Sequence, residues 1–248
     1  MSAAPTQTRS RWIAITIATG LVISVLFLLR QPQRRVYVDG FFPHCANNLK
    51  AIALALHQYH EDHGCFPPPY ISDDDGTPLH SWRVLLLPSL GESDLYDQYD
   101  FNEPWNGPNN SQLADQMPTV FGCPDQKTLK PHARQWATST TNYLALVGPT
   151  AAFNRDMPRT LADFRDNTRH TIMVTEVIDS NVNWLEPRDT LVADGVFAIA
   201  GGPHVKESTG IYVAYADGSV RLLPSNTPTT TLKGLVTING NEPLPDDL

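Results

Sequence analysis

Apolar and polar positions follow three regimes along this 248-residue chain. The first is Trp12 to Leu29, eighteen residues without a charge. As a helix this run spans roughly 27 Å, close to the hydrocarbon thickness of a bilayer, about 30 Å. Thr16, Thr19 and Ser24 can return their hydroxyls to the helix's own carbonyls, so they do not oppose insertion. Arg9 and Arg11 flank one end, Arg30, Arg34 and Arg35 the other, and Trp12 suits the interface. The segment from Phe27 to Pro32 offers no small-residue exit for a signal peptidase. The pattern predicts an uncleaved transmembrane helix over 12–29 that contacts membrane lipid. Residues 1–11 are then a cytoplasmic N-terminus, and the main domain lies outside the cytoplasm.

The second regime is helical. Residues 30–43 read as a linker, because Pro32 ends one helix and Gly40 with Pro43 punctuates the approach to the next. From His44 to about Asp62, Cys45, Leu49, Ile52, Ala53, Leu56 and Tyr59 or His60 recur at three- and four-residue steps and form one stripe. Gly64 and Pro67-Pro68-Pro69 forbid its continuation.

The third regime, the rest of the domain at 44–248, alternates short apolar runs with turn signals. Asn142–Val147, Thr171–Val177, Gly195–Ala200 and the pair Ile211–Tyr215 with Ser219–Leu223 read as strands. Asp217-Gly218 lies between the last two and predicts a hairpin. Ser81–Leu95 reads as a short helix and turn, Trp105–Pro118 as a loop, and Thr229–Ile238 as a short helix. The fold class is therefore α+β, with an amphipathic helix packed on an antiparallel sheet.

Charge changes the picture in one respect. Residues 1–35 hold five arginines and no acid, so the remaining 13 bases face all 26 acids. An acidic body repels phosphate backbones, which argues against nucleic acid as the main partner. The 21 prolines call for many turns and short elements.

Candidate chemistry is sparse. There are three cysteines, an odd number. Outside the cytoplasm two of them tend to pair, and Cys45–Cys123 would staple a loop to the helix. The spacing leaves Cys45–Cys65 and three free thiols open, and without a C-x-x-C pair a zinc site is not indicated. His57 and His60 project together on a helix but His63 does not, so the three do not converge on a metal and one ring suits the helix C-terminus. Asp73-Asp74-Asp75-Gly76 reads as a turn, with weak calcium binding as its alternative, because Trp82 stands where a calcium loop needs Glu. No other cofactor is implied. Glu176, His170, His204 and Asp217 could form an acid–base site only if brought together, and no hydrolase or nucleotide-binding motif occurs. Trp105 and Trp184, in loops, are possible ligand contacts, with burial in the core as the equal alternative.

Several stretches together carry a resemblance. They are Cys45-Ala-Asn-Asn-Leu-Lys50, Ala55-Leu-His-Gln-Tyr-His60 leading to Gly64-Cys-Phe-Pro-Pro68, and Ser81-Trp-Arg-Val-Leu-Leu-Leu-Pro88. Cys123-Pro124, Thr141-Asn-Tyr143, Thr175-Glu176 and Ala216-Asp-Gly-Ser-Val220 follow. Over roughly 44–240 the chain resembles the bacterial domain-of-unknown-function 1559 family of prepilin-like proteins with a C-terminal H-x9-DG signature. The resemblance implies a pseudopilin-like fold and no established enzymatic activity; a solute-binding label also circulates for the family. His204, Asp217 and Gly218 stand for the signature, although twelve residues rather than nine separate the His from the Asp. The family's prepilin leader, Gly-Phe-Thr-Leu-x-Glu before an unbroken helix, is not matched here, which favours a plain membrane anchor.

The resulting expectation is a non-enzymatic, single-pass protein of the bacterial cytoplasmic (inner) membrane. Its domain would be extracytoplasmic and meet other envelope or secretion proteins. The alternative is an extracytoplasmic module that binds a solute or saccharide.

Overall fold

The computed structural model describes residues 44–123, 139–165, 167–177, 180–192, 210–240 and 242. Contacts divide the chain between residues 35 and 36, and every described residue belongs to the second unit. The apolar run 12–29, the linker, the expected strand 195–200 and His204 lie outside the described residues. Among the described residues no helix is long and apolar enough to cross a membrane.

Helix α1 (His44–His63) forms where the three- and four-residue stripe runs, and it buries Cys45, Leu49, Ile52, Ala53 and Leu56. Gly64 ends it: at φ +78° it takes the left-handed conformation that stops a helix, and its N–H donates to the His60 carbonyl at 2.8 Å. The prolines that follow lead into a two-stranded hairpin, β1 (Tyr70–Ser72) and β2 (Pro78–Ser81). Two single-turn helices, α2 (Trp82–Leu85) and α3 (Ser93–Tyr96), then two 3-10 turns, Asn110–Gln116 and Thr119–Phe121, lead towards the main sheet.

That sheet has five strands: β3 (Tyr143–Val147), β4 (Ile172–Glu176), β5 (Thr190–Leu191), β6 (Ile211–Tyr215) and β7 (Val220–Leu223), in the order β5-β3-β4-β6-β7. Four of these follow the apolar runs, and β6 and β7 are joined through Asp217-Gly218. The expectation of an antiparallel sheet is corrected at one edge, because β5 pairs parallel to β3 through Leu146–Thr190 and Val147–Leu191. After β4 the chain runs past the start of β3, where the Thr141 N–H donates to Val182 and the Trp184 N–H to Ser139. It then turns and follows β3 in the same direction. The sheet is mixed and the class α+β.

Side chains alternate across the sheet and both faces are covered. Tyr143, Ala145, Val147, Met173, Val174, Ala214 and Ala216 share one core with α1, Phe66, Trp82, Phe121 and Trp184. Leu146, Ile172, Ile211, Val213, Tyr215 and Leu223 form a second with Leu232, Leu235 and Val236 of helix α4 (Thr229–Val236). Burial on both faces is why β3 and β4 are buried at every position and read as apolar runs. The layers are therefore helix, sheet, helix. A register shift in β4 between Ile172 and Val174 sends Met173 and Val174 to the same core.

Candidate functional site

The segments that carry the family resemblance lie far apart in sequence, and the fold brings many of them to the N-terminal end of α1. Cys45 and Cys123 are joined as a disulfide across 78 residues, with Cα atoms 5.0 Å apart. Cys65 is free and half-buried. The neighbouring motif residues fix both ends of the bridge. Asn48 Nδ2 donates to the Gly122 carbonyl at 2.8 Å, and Asn142 Oδ1 accepts from the Cys123 N–H at 2.8 Å. The Tyr143 hydroxyl donates to the Cys45 carbonyl at 3.1 Å, and Thr141 Oγ1 donates to Phe121 at 3.0 Å. Glu176, 1% exposed, ends β4 opposite Tyr143, and its carboxylate lies beside the bridge. The two sulfurs and a Glu176 oxygen all lie within 4.8 Å of one another.

The second motif cluster is the β6–β7 turn. Lys50 Nζ donates to the Gly218 carbonyl at 2.6 Å, and the edge of the His57 ring packs against Gly218, so two α1 side chains meet one hairpin. Asp217 Oδ1 accepts from Ser219 N–H at 2.8 Å and its carboxylate stands 4.0 Å from Arg169 and Arg221. Gly218 has φ +78°, and a Cβ there would meet the edge of His57 at 3.4 Å and Lys50 Nζ at 4.0 Å, both at or beyond ordinary contact distance. The demand for glycine is therefore conformational, and Gly218→Ala should cost about 1–2 kcal/mol of unfolding free energy, read from urea unfolding. His204 lies outside the described residues.

The three helix histidines perform separate tasks. His57 faces the hairpin, His60 Nε2 accepts from the Leu161 N–H at 3.2 Å, and His63 stacks on Tyr59 at 3.9 Å with Nδ1 3.0 Å from the Tyr59 carbonyl, at the end of the helix. The Asp73 side chain is engaged in its own turn, accepting from Asp75 and Thr77 N–H groups. Trp184 takes the core position rather than the ligand-contact one. It is fully buried, stacks against Phe121, and its indole N–H donates to Ala114 at 3.0 Å, so it presents no face to a ligand. Trp105 is half-buried and packs on the core.

Three features escaped sequence reasoning. Arg83, 0% exposed, donates to Asp189 at 2.6 Å, to the Tyr143 carbonyl at 3.0 Å and to Ser81 Oγ at 3.0 Å. Asp189 Oδ1 also accepts from the Ala145 N–H at 2.7 Å and from the Trp82 indole at 3.1 Å. The motif Ser81-Trp-Arg supplies half of this network, and its partner lies 106 residues away. Buried Asn110 ties a loop shut, with Nδ2 on the Asp100, Glu103 and Pro104 carbonyls and Oδ1 on the Asp100 N–H. His80, 2% exposed, meets the Tyr99 hydroxyl at 2.9 Å among the rings of Tyr99 and Phe101.

Burial lowers the pKa of His57 and of His80 below the usual imidazole value of 6.5. The unfolded chain then takes up protons first on acidification. The stability these groups contribute is complete above pH about 6.5 and is lost as pH falls through their lowered values. The urea midpoint should drop between pH 7 and pH 5, and His80→Asn should flatten that dependence.

The model of the family described as Protein of unknown function (DUF1559) matches residues 44–202, more than half of the chain. The chain belongs to this family. The match begins at the first residue of α1 and takes in the disulfide, the Arg83–Asp189 pair and β3 to β5. No curated protein and no solved structure matches significantly.

Proposed function

We propose that this DUF1559-family chain is a non-enzymatic, single-pass protein of the cytoplasmic membrane. Its pseudopilin-like domain stands outside the cytoplasm as a component of a secretion or cell-envelope assembly. The observation that carries the reading is where the family motifs point. Asn48, Lys50, Arg83, Thr141, Asn142 and Tyr143 each direct a polar atom to backbone of their own chain, and Arg83 adds the Asp189 and Ser81 side chains. Residues arranged this way specify a fold; a catalytic set would converge on a space open to substrate.

Two further features support the location. The uncharged run 12–29 has the length of a membrane span, and a disulfide over a long loop belongs with an oxidising compartment. The helix that follows the linker lies against the sheet, which suits a domain held close to the membrane by its N-terminus. The mechanism is positional: the anchor sets the height of the domain, and its acidic surface meets neighbours with basic patches.

The test is fractionation followed by crosslinking in the native membrane. The full chain should require detergent for release, and a variant lacking residues 12–29 should not. Crosslinks should join the domain to other envelope proteins. Release of the full chain without detergent, or recovery of the domain alone with a bound sugar, would overturn the reading.

A further inference from the structure

Cys45, Cys123 and Glu176 come from the start of α1, from the segment after the Thr119–Phe121 turn and from the end of β4, and all three are buried. The two sulfurs are bonded to each other, and a Glu176 carboxylate oxygen lies within 4.8 Å of both. The bonds that hold the three backbones in place do not depend on the S–S bond. Cys45 is fixed by α1 and by the Tyr143 hydroxyl on its carbonyl. Cys123 is fixed by Asn142 on its N–H and by Asn48 on the preceding carbonyl. Glu176 is fixed by its pairing with Tyr143 across β3 and β4. None of these bonds uses a sulfur atom.

We propose that the reduced form of this protein binds a soft divalent cation of the zinc class at Cys45 Sγ, Cys123 Sγ and the Glu176 carboxylate, so that one buried site alternates between disulfide and metal. The chemistry of the donors selects the ion. Two thiolates favour zinc over calcium or magnesium, which take oxygen ligands. Two thiolates and a carboxylate bring three negative charges into a buried space, and a dication offsets most of that charge. The steps balance. A dithiol reductant transfers two electrons and two protons to the S–S bond and is itself oxidised to a disulfide. The cation then displaces both thiol protons to solvent and takes the two thiolates as ligands. A side-chain rotation at either cysteine is enough to part the sulfurs, because their Cα atoms stand 5.0 Å apart. The site joins α1 to the sheet in either state, so the domain keeps this staple in a reducing compartment as well as an oxidising one.

The test uses the full chain in detergent, reduced with a dithiol and desalted without oxygen. It is then alkylated with iodoacetamide in the presence of zinc chloride or of EDTA. Zinc should slow modification of Cys45 and Cys123 by about tenfold or more, and Cys65 should react equally in both conditions as an internal control. Glu176→Gln, which keeps both thiols and nearly the same shape, should weaken zinc binding by roughly tenfold or more against a chromophoric chelator and remove most of the protection. Equal alkylation of Cys45 and Cys123 with and without zinc would overturn the proposal, and so would protection that extends to Cys65 or survives in the Gln variant. If reduction unfolds the chain, near-ultraviolet circular dichroism gives the same decision. Zinc that restores the native signal supports the site, and zinc that leaves the signal lost overturns it.

Discussion

Asp189→Ala should lower the unfolding free energy by about 3–5 kcal/mol, the cost of breaking a buried ion pair by removing one partner. Arg83 and Asp189 are 0% and 3% exposed at their side chains, so water cannot take over the guanidinium's lost contact. The truncation also strands the Ala145 N–H and the Trp82 indole N–H, both of which donate to that carboxylate. A domain with about 5–15 kcal/mol in total would lose a large share of its stability. Asp189→Asn should cost less, because an amide oxygen still accepts from Ala145 while the charge is gone. Replacing both partners, with Arg83→Met and Asp189→Leu, should cost less than the sum of the two single changes, since neither charge is then left alone. Urea denaturation of the four proteins gives the coupling directly. A near-neutral Asp189→Ala would show that Arg83 is anchored by Ser81 and Tyr143 alone.

The same pair explains why part of the fold was legible in the residues and part was not. Local patterns were sufficient for α1, whose stripe of Cys45, Leu49, Ile52, Ala53 and Leu56 is buried as spaced, and for the β6–β7 hairpin with its Asp-Gly turn. The apolar runs of β3 and β4 were legible because both of their faces are covered. The parallel edge strand was not, for a physical reason. β5 is two residues long, and what brings it to β3 is the Asp189 carboxylate on the Ala145 N–H just before it. No periodicity records a contact of that kind. Strands β1 and β2 were missed because each is only three or four residues long and carries a single aliphatic residue, Ile71 or Leu79, too few to set up an alternating pattern.

For the candidate site, the motif residues could be recognised singly, but their roles are long-range. Asn48 reaches a carbonyl 74 residues away and Lys50 one 168 residues away. Their spacing in the chain says nothing of this, and the pairing of the cysteines stayed open for the same reason. Trp184 was open between two readings for a related reason. An aromatic in a long loop reads equally as a surface contact or as core, and here the loop folds inward so that the ring is core against Phe121.

Removing the bridge with Cys45→Ser and Cys123→Ser should lower stability by about 2–5 kcal/mol in the oxidised protein, through the unfolded state as much as the folded one. A cross-link that closes a loop of 78 residues removes many conformations from the unfolded chain, and chain-entropy reasoning puts that contribution between about 3 and 4.7 kcal/mol. The folded side loses less, because Asn48, Asn142 and Tyr143 hold the two cysteine backbones without help from the sulfurs. The double variant should therefore keep the native near-ultraviolet spectrum at low temperature while its urea midpoint falls. This separates two roles that one structure superimposes. If those hydrogen bonds are what assemble the site, Asn142→Ala should disturb the spectrum even with the bridge intact, since it removes the acceptor for Cys123 and the donor to Val177 together. A double variant that loses its native spectrum outright would show instead that the covalent link, and not the hydrogen-bonded motif around it, holds the start of α1 to the sheet.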